Sequence, residues 1–450
     1  MFDPLIDLVT TIVPFLLVLG IVIFVHEYGH YIVGRWSGIH AEEFALGFGG
    51  EIVGWVDKRG TRWKICWLPL GGYVRFKGDA DAASKPDPSA VEGMSAAERR
   101  STLPGAPLWA RAATVAAGPM ANFLLSILVF AMIALALGRA SDQPVLAEVR
   151  ADGQAAGAGL QVGDRIVSVD GEPVESFSGF LQKMFAREGE PLPVSIVRDG
   201  DQTTLPVAFS RPARIATVQP DTAAYGCLAP GDVIARIDGE PITSFIDLQK
   251  AVETSEGRDL QFTVLRGPEQ IEMSLAPRPT ERLDPETNTI SFPLMLGVSA
   301  SFNLGIEPPR ESVGPIEAVG LGAGSLWRVV SSTFSYLGSW ASGAADGSAI
   351  GGPLGIARAS GYSAEAGFLT FIGFIATVST AIGLINLFPI PILDGGHLVF
   401  YGIEAVRGKP LSERWVELGM KVGLGLILVL LVFATYNDVA RILTGWEPSC

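Results

Sequence analysis

The chain has 450 residues, 48% of them hydrophobic, and a mean hydropathy of +0.35. That length suffices for two or three domains, and that apolarity excludes a wholly soluble protein. With 33 Lys and Arg against 47 Asp and Glu, the net charge of −14 sets nucleic acid aside as a partner, because counterion release needs clustered cations facing phosphates.

The first element is an uncharged run from Leu8 to Val25. Asp3 and Asp7 stand where a removable signal peptide would be basic, and the first Lys or Arg is Arg35, so the segment is expected to stay attached as a spanning helix over residues 1–34. It runs into "FVHEYGH" at residues 24–30. An ionised side chain near a bilayer centre costs about 2.5 to 3.5 kcal/mol, so such residues need a reason to be there. His26 and His30 are four apart and project from one helical face, where two imidazoles can bind one Zn2+ while Glu27 stands beside it as a general base. A satisfied structural histidine pair is the competing reading, and the end of a spanning helix suits it poorly. A catalytic zinc keeps three protein ligands, so a third is owed. Cys66, Cys227 and Cys450 lie far apart with no CxxC, which leaves nitrogen and oxygen to supply it.

Residues 35–111 hold eleven Lys or Arg and residues 1–34 hold none, which puts this loop in the cytoplasm and the N-terminus outside. Within it, "TRWKICWLPLGGYVRF" alternates apolar and polar side chains and turns at Gly71 and Gly72, as a membrane-associated β-hairpin over about 61–77 would. Its exposed edge could hold an extended peptide by strand addition, or the hairpin could serve only to pack against the helices.

A second span is expected at 112–138. Beyond it, "AGLQVGDRIVSVDGEPVESF" and "YGCLAPGDVIARIDGEPITSF" repeat one module at a constant offset of 68 residues, with Gly163, Asp164, Asp170 and Gly171 answered by Gly231, Asp232, Asp238 and Gly239. Each copy reads as a Gly-Asp turn, a short strand, an Asp-Gly turn and a helix. The pattern resembles the PDZ domain in its bacterial periplasmic form, giving two such domains at 141–210 and 211–279. A connector follows at 280–366. Its apolar stretch over about 316–345 could pass for a fifth span, but a full crossing would reverse the next one, so an interfacial helix is expected there.

The third span, 367–394, ends in "NLFPIPILDGGH". Pro389 and Pro391 cannot continue a helix, and Gly395 and Gly396 permit close backbone approach, which together would turn the chain and present Asp394. Alone, this stretch is equally an ordinary Pro-kinked helix end with a solvated Asp. Topology favours the ligand, because spans one and three both run from outside to inside and bring His26 and Asp394 to the same face. His397 ranks below Asp394, and it and His40 are expected to face solvent. A cytoplasmic loop at 395–417 and a fourth span at 418–440 complete the chain.

These motifs, "HEYGH" at 26–30, "LPLGGYVRFKGD" at 68–79, "GPMANF" at 118–123, the tandem PDZ-like pair, "GGPLGIA" at 351–357 and "NLFPIPILDGGH" at 386–397, stand in an order that resembles the site-2 protease family, within it the bacterial regulator-of-sigma-E protease group. The resemblance implies a polytopic α-helical membrane protein of four transmembrane helices, with a membrane-associated β-hairpin and two periplasmic PDZ domains, in the bacterial inner membrane. It implies an intramembrane zinc metalloprotease in which His26, His30 and Asp394 bind Zn2+, Glu27 activates water, and Asn386, with Gly71, Gly72, Pro389 and Pro391, holds the substrate. The implied partners are membrane lipid and transmembrane protein substrates, namely an anti-sigma factor or signal-peptide remnants, and no nucleic acid. Two other classes compete. An inactive PDZ scaffold binding chain termini would have no use for Glu27, and a zinc transporter would carry inverted repeats of spans, which are absent here.

Overall fold

The computed structural model describes residues 4–79, 94–151, 153–209, 213–218, 222–224, 227–279, 282–283, 290–291, 293–300, 305–341 and 352–443. Parts of the expected connector, including Gly351 of the "GGPLGIA" motif, lie outside the described residues. The chain divides into a helical unit formed by residues 1–136, 314–337 and 350–438 and a β-rich unit centred on residues 137–313.

In chain order, the helical unit begins with α1 (Pro4–Trp36), β1 (Ala41–Val56), β2 (Arg62–Phe76), α2 (Ala96–Arg100) and α3 (Leu108–Leu137). The β-rich unit contributes α4 (Gln154–Gly157), α5 (Phe177–Ala186) and α6 (Phe245–Glu253). The helical unit resumes with α7 (Pro315–Ala341), α8 (Pro353–Glu365), α9 (Phe368–Asn386), α10 (Asp394–Arg407) and α11 (Glu413–Leu443). Four helices among the described residues are long and apolar enough to cross a membrane, at Val9–Trp36, Leu108–Leu137, Phe368–Asn386 and Arg414–Tyr436. The third is shorter than the uncharged run that announced it, because the two prolines after Asn386 end it.

Small residues bring the spanning helices together. A β-carbon at Gly29 of α1 would fall 2.4 Å from the Ala117 carbonyl oxygen and 2.7 Å from the Ala121 β-carbon of α3, so only glycine permits that approach. Ser126 of α3 donates to the Ala376 carbonyl of α9 at 2.8 Å, and Ser379 of α9 donates to the Asn122 carbonyl at 3.0 Å. Val18 and Val22 of α1 bury against Ile375 and Val378 of α9. The α8 N-terminus is tied to α11 by Asp438, whose carboxylate accepts from the backbone N–H groups of Gly352, Leu354 and Gly355 at 3.1 to 3.2 Å. A carboxylate from a neighbouring helix thus replaces the missing N-cap side chain. Helix α7 lies against α3 where Gly322 meets Ile127 and Ala131, and Phe334 stacks on Phe388 with ring centroids 6.1 Å apart.

The hairpin expected within 61–77 takes a different form. Its two arms do not pair with each other; both lie against β1, so that Phe44 is in register with Val74 on one side and Trp63 on the other. The rest of β1 pairs back on the outer arm, with Val53 opposite Ile65 and Trp55 opposite Trp63. The reason is the burial of Ala41 and Phe44, which form a core with Tyr31, Val74 and Phe76 that the arms alone could not supply.

The β-rich unit repeats itself in space as it does in sequence. Each copy has a four-stranded sheet of the same order, Glu172–Pro173, Arg165–Val169, Leu192–Arg198, Asp201–Val207 in the first and Glu240–Pro241, Val233–Ile237, Leu260–Arg266, Glu269–Leu275 in the second. The Asp of each Gly-Asp turn is buried and held by an arginine 34 residues on, Asp164 by Arg198 and Asp232 by Arg266. Those arginines also donate to the Gly159 and Cys227 carbonyls, again 68 residues apart. Asp170 and Asp238, at φ of 50° and 51°, make the left-handed turns that the Asp-Gly pairs announce. The strand entering the unit at Arg139–Ala140 pairs with the strand leaving it at Arg310–Glu311.

Candidate active site

His26 and His30 lie one turn apart on α1, as their spacing requires, with ring centroids 4.8 Å apart. Asp394, the first residue of α10, reaches them from the far side of the "FPIP" loop. Gly395 and Gly396 make this turn close-packed: a β-carbon at either would sit 2.3 to 2.4 Å from the carbonyl oxygens of Leu387, Phe388 or Ile390. Pro391 in turn packs on Gly419 and Gly423 of α11.

The three side chains converge. The two histidine Nε2 atoms are 3.2 Å apart, and Asp394 Oδ2 lies 3.2 Å from His26 Nε2 and 3.5 Å from His30 Nε2. Among the described residues this is the group whose ligand atoms could hold a metal ion. A tetrahedral zinc with bonds of about 2.0 to 2.1 Å separates its ligand atoms by about 3.4 Å. The donor set therefore fits Zn2+ in number, chemistry and spacing. His30 Nδ1 lies 2.8 Å from the Thr114 carbonyl oxygen, which can only accept, so the proton sits on Nδ1 and Nε2 presents its lone pair to the metal position.

Glu27 stands in the same cavity, of about 190 Å³, lined also by Gly72, Tyr73, Val74, Asn386, His397 and Tyr401. The Val74 backbone lies beside its carboxylate. The strand can pass this close because residue 72 is glycine, where a β-carbon would meet the Ala45 carbonyl oxygen, Ile23 and Glu27 at 2.8 to 3.1 Å. Asn386 donates through Nδ2 to the Ile382 carbonyl at 3.0 Å.

Thus His26, Glu27, His30, Asp394, Asn386 and Gly72 meet in one cavity, whereas Gly71, Pro389 and Pro391 do not line it. Gly71, at φ of 97°, turns the chain between the arms of the sheet, and the prolines shape the loop that carries Asp394. His397 does not face solvent as expected. Three residues into α10, it is turned inward beside Asp394, and burial holds its imidazole below the usual value.

Several functional groups were not legible beforehand. The Thr114 carbonyl is a backbone atom, which no side-chain pattern announces. Asn122, fully buried, places its amide 3.2 Å from His26 Nδ1. Arg111, at the start of α3, pairs through both terminal nitrogens with Glu404 of α10 at 2.5 and 3.0 Å and lies over the Tyr401 ring. Burial pushes the Tyr401 hydroxyl up to about 12 against the opposing pull of Arg111.

Comparison with known proteins agrees with this chemistry. The model of Peptidase family M50 matches residues 14–430. A protein of Agrobacterium fabrum named as a candidate zinc metalloprotease is 40% identical over 96% of this chain and 96% of its own length. Metalloprotease MmpA of Caulobacter vibrioides is 32% identical over 96% of this chain and 95% of its own, and the regulator of sigma-E protease RseP of Escherichia coli is 30% identical over 95% and 98%. A solved PDZ domain of the SdrC-like protein of Listeria innocua is similar over 21% of this chain and 98% of its own, at 20% identity and a TM-score of 0.17. On the family match and these relatives, the chain belongs to peptidase family M50, the site-2 proteases, and is a metalloprotease.

Proposed function

We propose that this protein is an intramembrane zinc protease of the inner membrane that hydrolyses peptide bonds within the transmembrane segments of single-span proteins. The observation that carries the reading is the convergence of His26 and His30, on the apolar spanning helix α1, with Asp394, which opens α10 beyond the loop that follows the spanning helix α9, and with Glu27 in the same cavity.

A bound zinc supplies a lowered pKa for water and polarisation of the scissile carbonyl. Glu27, in the same cavity, takes the proton from the attacking water and passes it to the leaving amine. A substrate helix hides its peptide bonds in its own hydrogen bonding and has to be extended first. Residues 72–76 pair with β1 on one edge, and their other edge, beside Glu27, pairs with no strand among the described residues. An unwound substrate segment can add there as a strand, with Asn386 across the cavity to hold it.

The substrates that suit this site are single-span proteins already shortened outside, such as an anti-sigma factor or a signal-peptide remnant. The two repeated modules are periplasmic PDZ domains in this reading and act as a size filter on substrates, since they stand in the chain directly between the second span and the return to the membrane. Replacing residues 141–309 by a short linker should newly permit cleavage of substrates with large outer domains; an inserted, folded variant that still refuses them removes the filter. Cysteines at Gln202 and Lys409 should be labelled by an impermeant reagent only from outside and only from inside, respectively.

The test of the central reading is Glu27→Gln. The amide cannot accept the water's proton but leaves both histidines in place, so zinc content should be unchanged while cleavage of a helical membrane substrate falls by about 10²- to 10⁴-fold. Undiminished cleavage would remove Glu27 from the mechanism.

A further inference from the structure

His30 has its ligand nitrogen fixed by a carbonyl, but His26 has no such partner. Its Nδ1 faces the side-chain amide of Asn122 of α3 at 3.2 Å. An amide, unlike a carbonyl, can present either a donor or an acceptor, and the two choices have opposite consequences for zinc. If Nδ2–H donates to Nδ1, a neutral imidazole carries its proton on Nε2, the atom that points at His30 and Asp394, and no lone pair is left for a metal. If instead Oδ1 accepts from Nδ1–H, Nε2 presents its lone pair to the metal position, as His30 Nε2 does.

Two further observations bear on the choice. Asn122 Oδ1 is buried and has no hydrogen-bond partner among the described residues, so the amide as it stands is half satisfied and has an oxygen to offer. The residue is also clamped in place. Its backbone carbonyl accepts from both Ser126 and Ser379, and α9 presses so close that a β-carbon at Gly383 would lie 3.2 Å from the Asn122 β-carbon. What stays free is a half-turn of the terminal amide, which exchanges oxygen and nitrogen without moving the helix.

We infer that Asn122 is the positioning residue for His26: its amide oxygen accepts the Nδ1 proton when zinc is bound, and so selects the tautomer in which Nε2 is the ligand. This rests on the reading of His26, His30 and Asp394 as the ligand set. Hydrogen bonds of this kind orient metal-ligating histidines generally, and their loss lowers metal affinity by about 10- to 100-fold.

The experiment measures zinc affinity of the purified full-length protein in detergent by competition with a chelator. Asn122→Leu and Asn122→Ala both remove the acceptor, and the alanine serves if the leucine does not fold; each should bind zinc about 10- to 100-fold more weakly than the native chain. Asn122→Asp keeps an acceptor and loses the donor, so it should bind zinc at least as tightly as the native chain. Rescue by Asp separates the role from packing, which all three variants disturb. Native-like affinity in Asn122→Ala, or a loss in Asn122→Asp as large as in Asn122→Ala, overturns the inference. Failure of the native chain itself to bind zinc overturns the ligand set instead.

Discussion

Gly118 of α3 lies so close to His30 of α1 that a β-carbon at position 118 would fall 2.2 Å from the imidazole Nε2. That nitrogen is the atom that points at His26 and Asp394. The absence of a side chain at 118 is therefore a condition of the convergence of His26, His30 and Asp394, quite apart from the closeness of the helices.

It follows that Gly118→Ala, which on helix propensity alone would stabilise α3 by about 0.8 to 1 kcal/mol, should instead abolish metal binding. The methyl group has to push the ring aside. Elemental analysis of the purified variant should find little zinc; full occupancy with normal cleavage would show that His30 can retreat and still ligate.

Asp394→Ala should lower zinc content, because three ligands become two. His397 lies in the same cavity and is the residue able to compensate. Asp394→Ala/His397→Ala therefore completes the test: if the single variant keeps its zinc and the double variant loses it, the third-ligand role passes to His397.

The convergence of His26, His30 and Asp394 was legible because its code is local. HExxH states a spacing on one helix, and "PIPILDGG" states a helix end, an acid and two glycines in a row. The environment around those three side chains was not legible, for a physical reason. Asn122, Gly118 and Thr114 act sideways, from α3 onto α1, through a small-residue contact that carries no periodic signal. Asp438 falls inside the stretch 418–440 expected as the fourth span, and only the three backbone N–H groups of α8 reveal its use. The sheet was misread because the stretch at 41–56 shows no strict alternation, its pairing partner changing along its length.

The sheet carries a charge cluster that makes a pH prediction. Glu43 of β1 accepts from Lys64 at 2.5 Å, Arg75 at 2.8 Å and Tyr73 at 3.1 Å. Burial alone would raise its pKa, but Lys64 and Arg75 outweigh it and hold the carboxyl below its ordinary value of 4.5. A depressed carboxylate contributes stability that is fully present above the unfolded value and is lost as pH falls through the folded one. Backbone-amide protection in residues 41–46 and 72–76, taken relative to the intrinsic exchange rate at each pH, should thus be constant above about pH 5 and fall below 4.5, and Glu43→Gln should remove that dependence. An acid transition of the same size in Glu43→Gln would assign it to another carboxylate.

The last prediction concerns how Asp394 is kept in place from behind. It opens α10, and three turns further on the same helix Glu404 takes the bidentate pair from Arg111 of α3, the two side chains being 16% and 14% exposed. One end of α10 therefore brings Asp394 to the two histidines while the other is anchored to the helix that carries Gly118 and Asn122. A largely buried pair with this geometry is hard to lose by halves: removing one partner leaves the other charged and unpaired, at a cost of about 3 to 5 kcal/mol where burial is complete and less here. Arg111→Ala and Glu404→Ala should each lower the thermal midpoint in detergent and weaken zinc binding. Arg111→Lys, which keeps the charge but not the fork, should fall between them and the native chain. The reversed pair, Arg111→Glu with Glu404→Arg, should recover part of both losses. If zinc affinity is unchanged in the single variants while the midpoint falls, the clamp serves the stability of the helices and leaves Asp394 to the loop glycines alone.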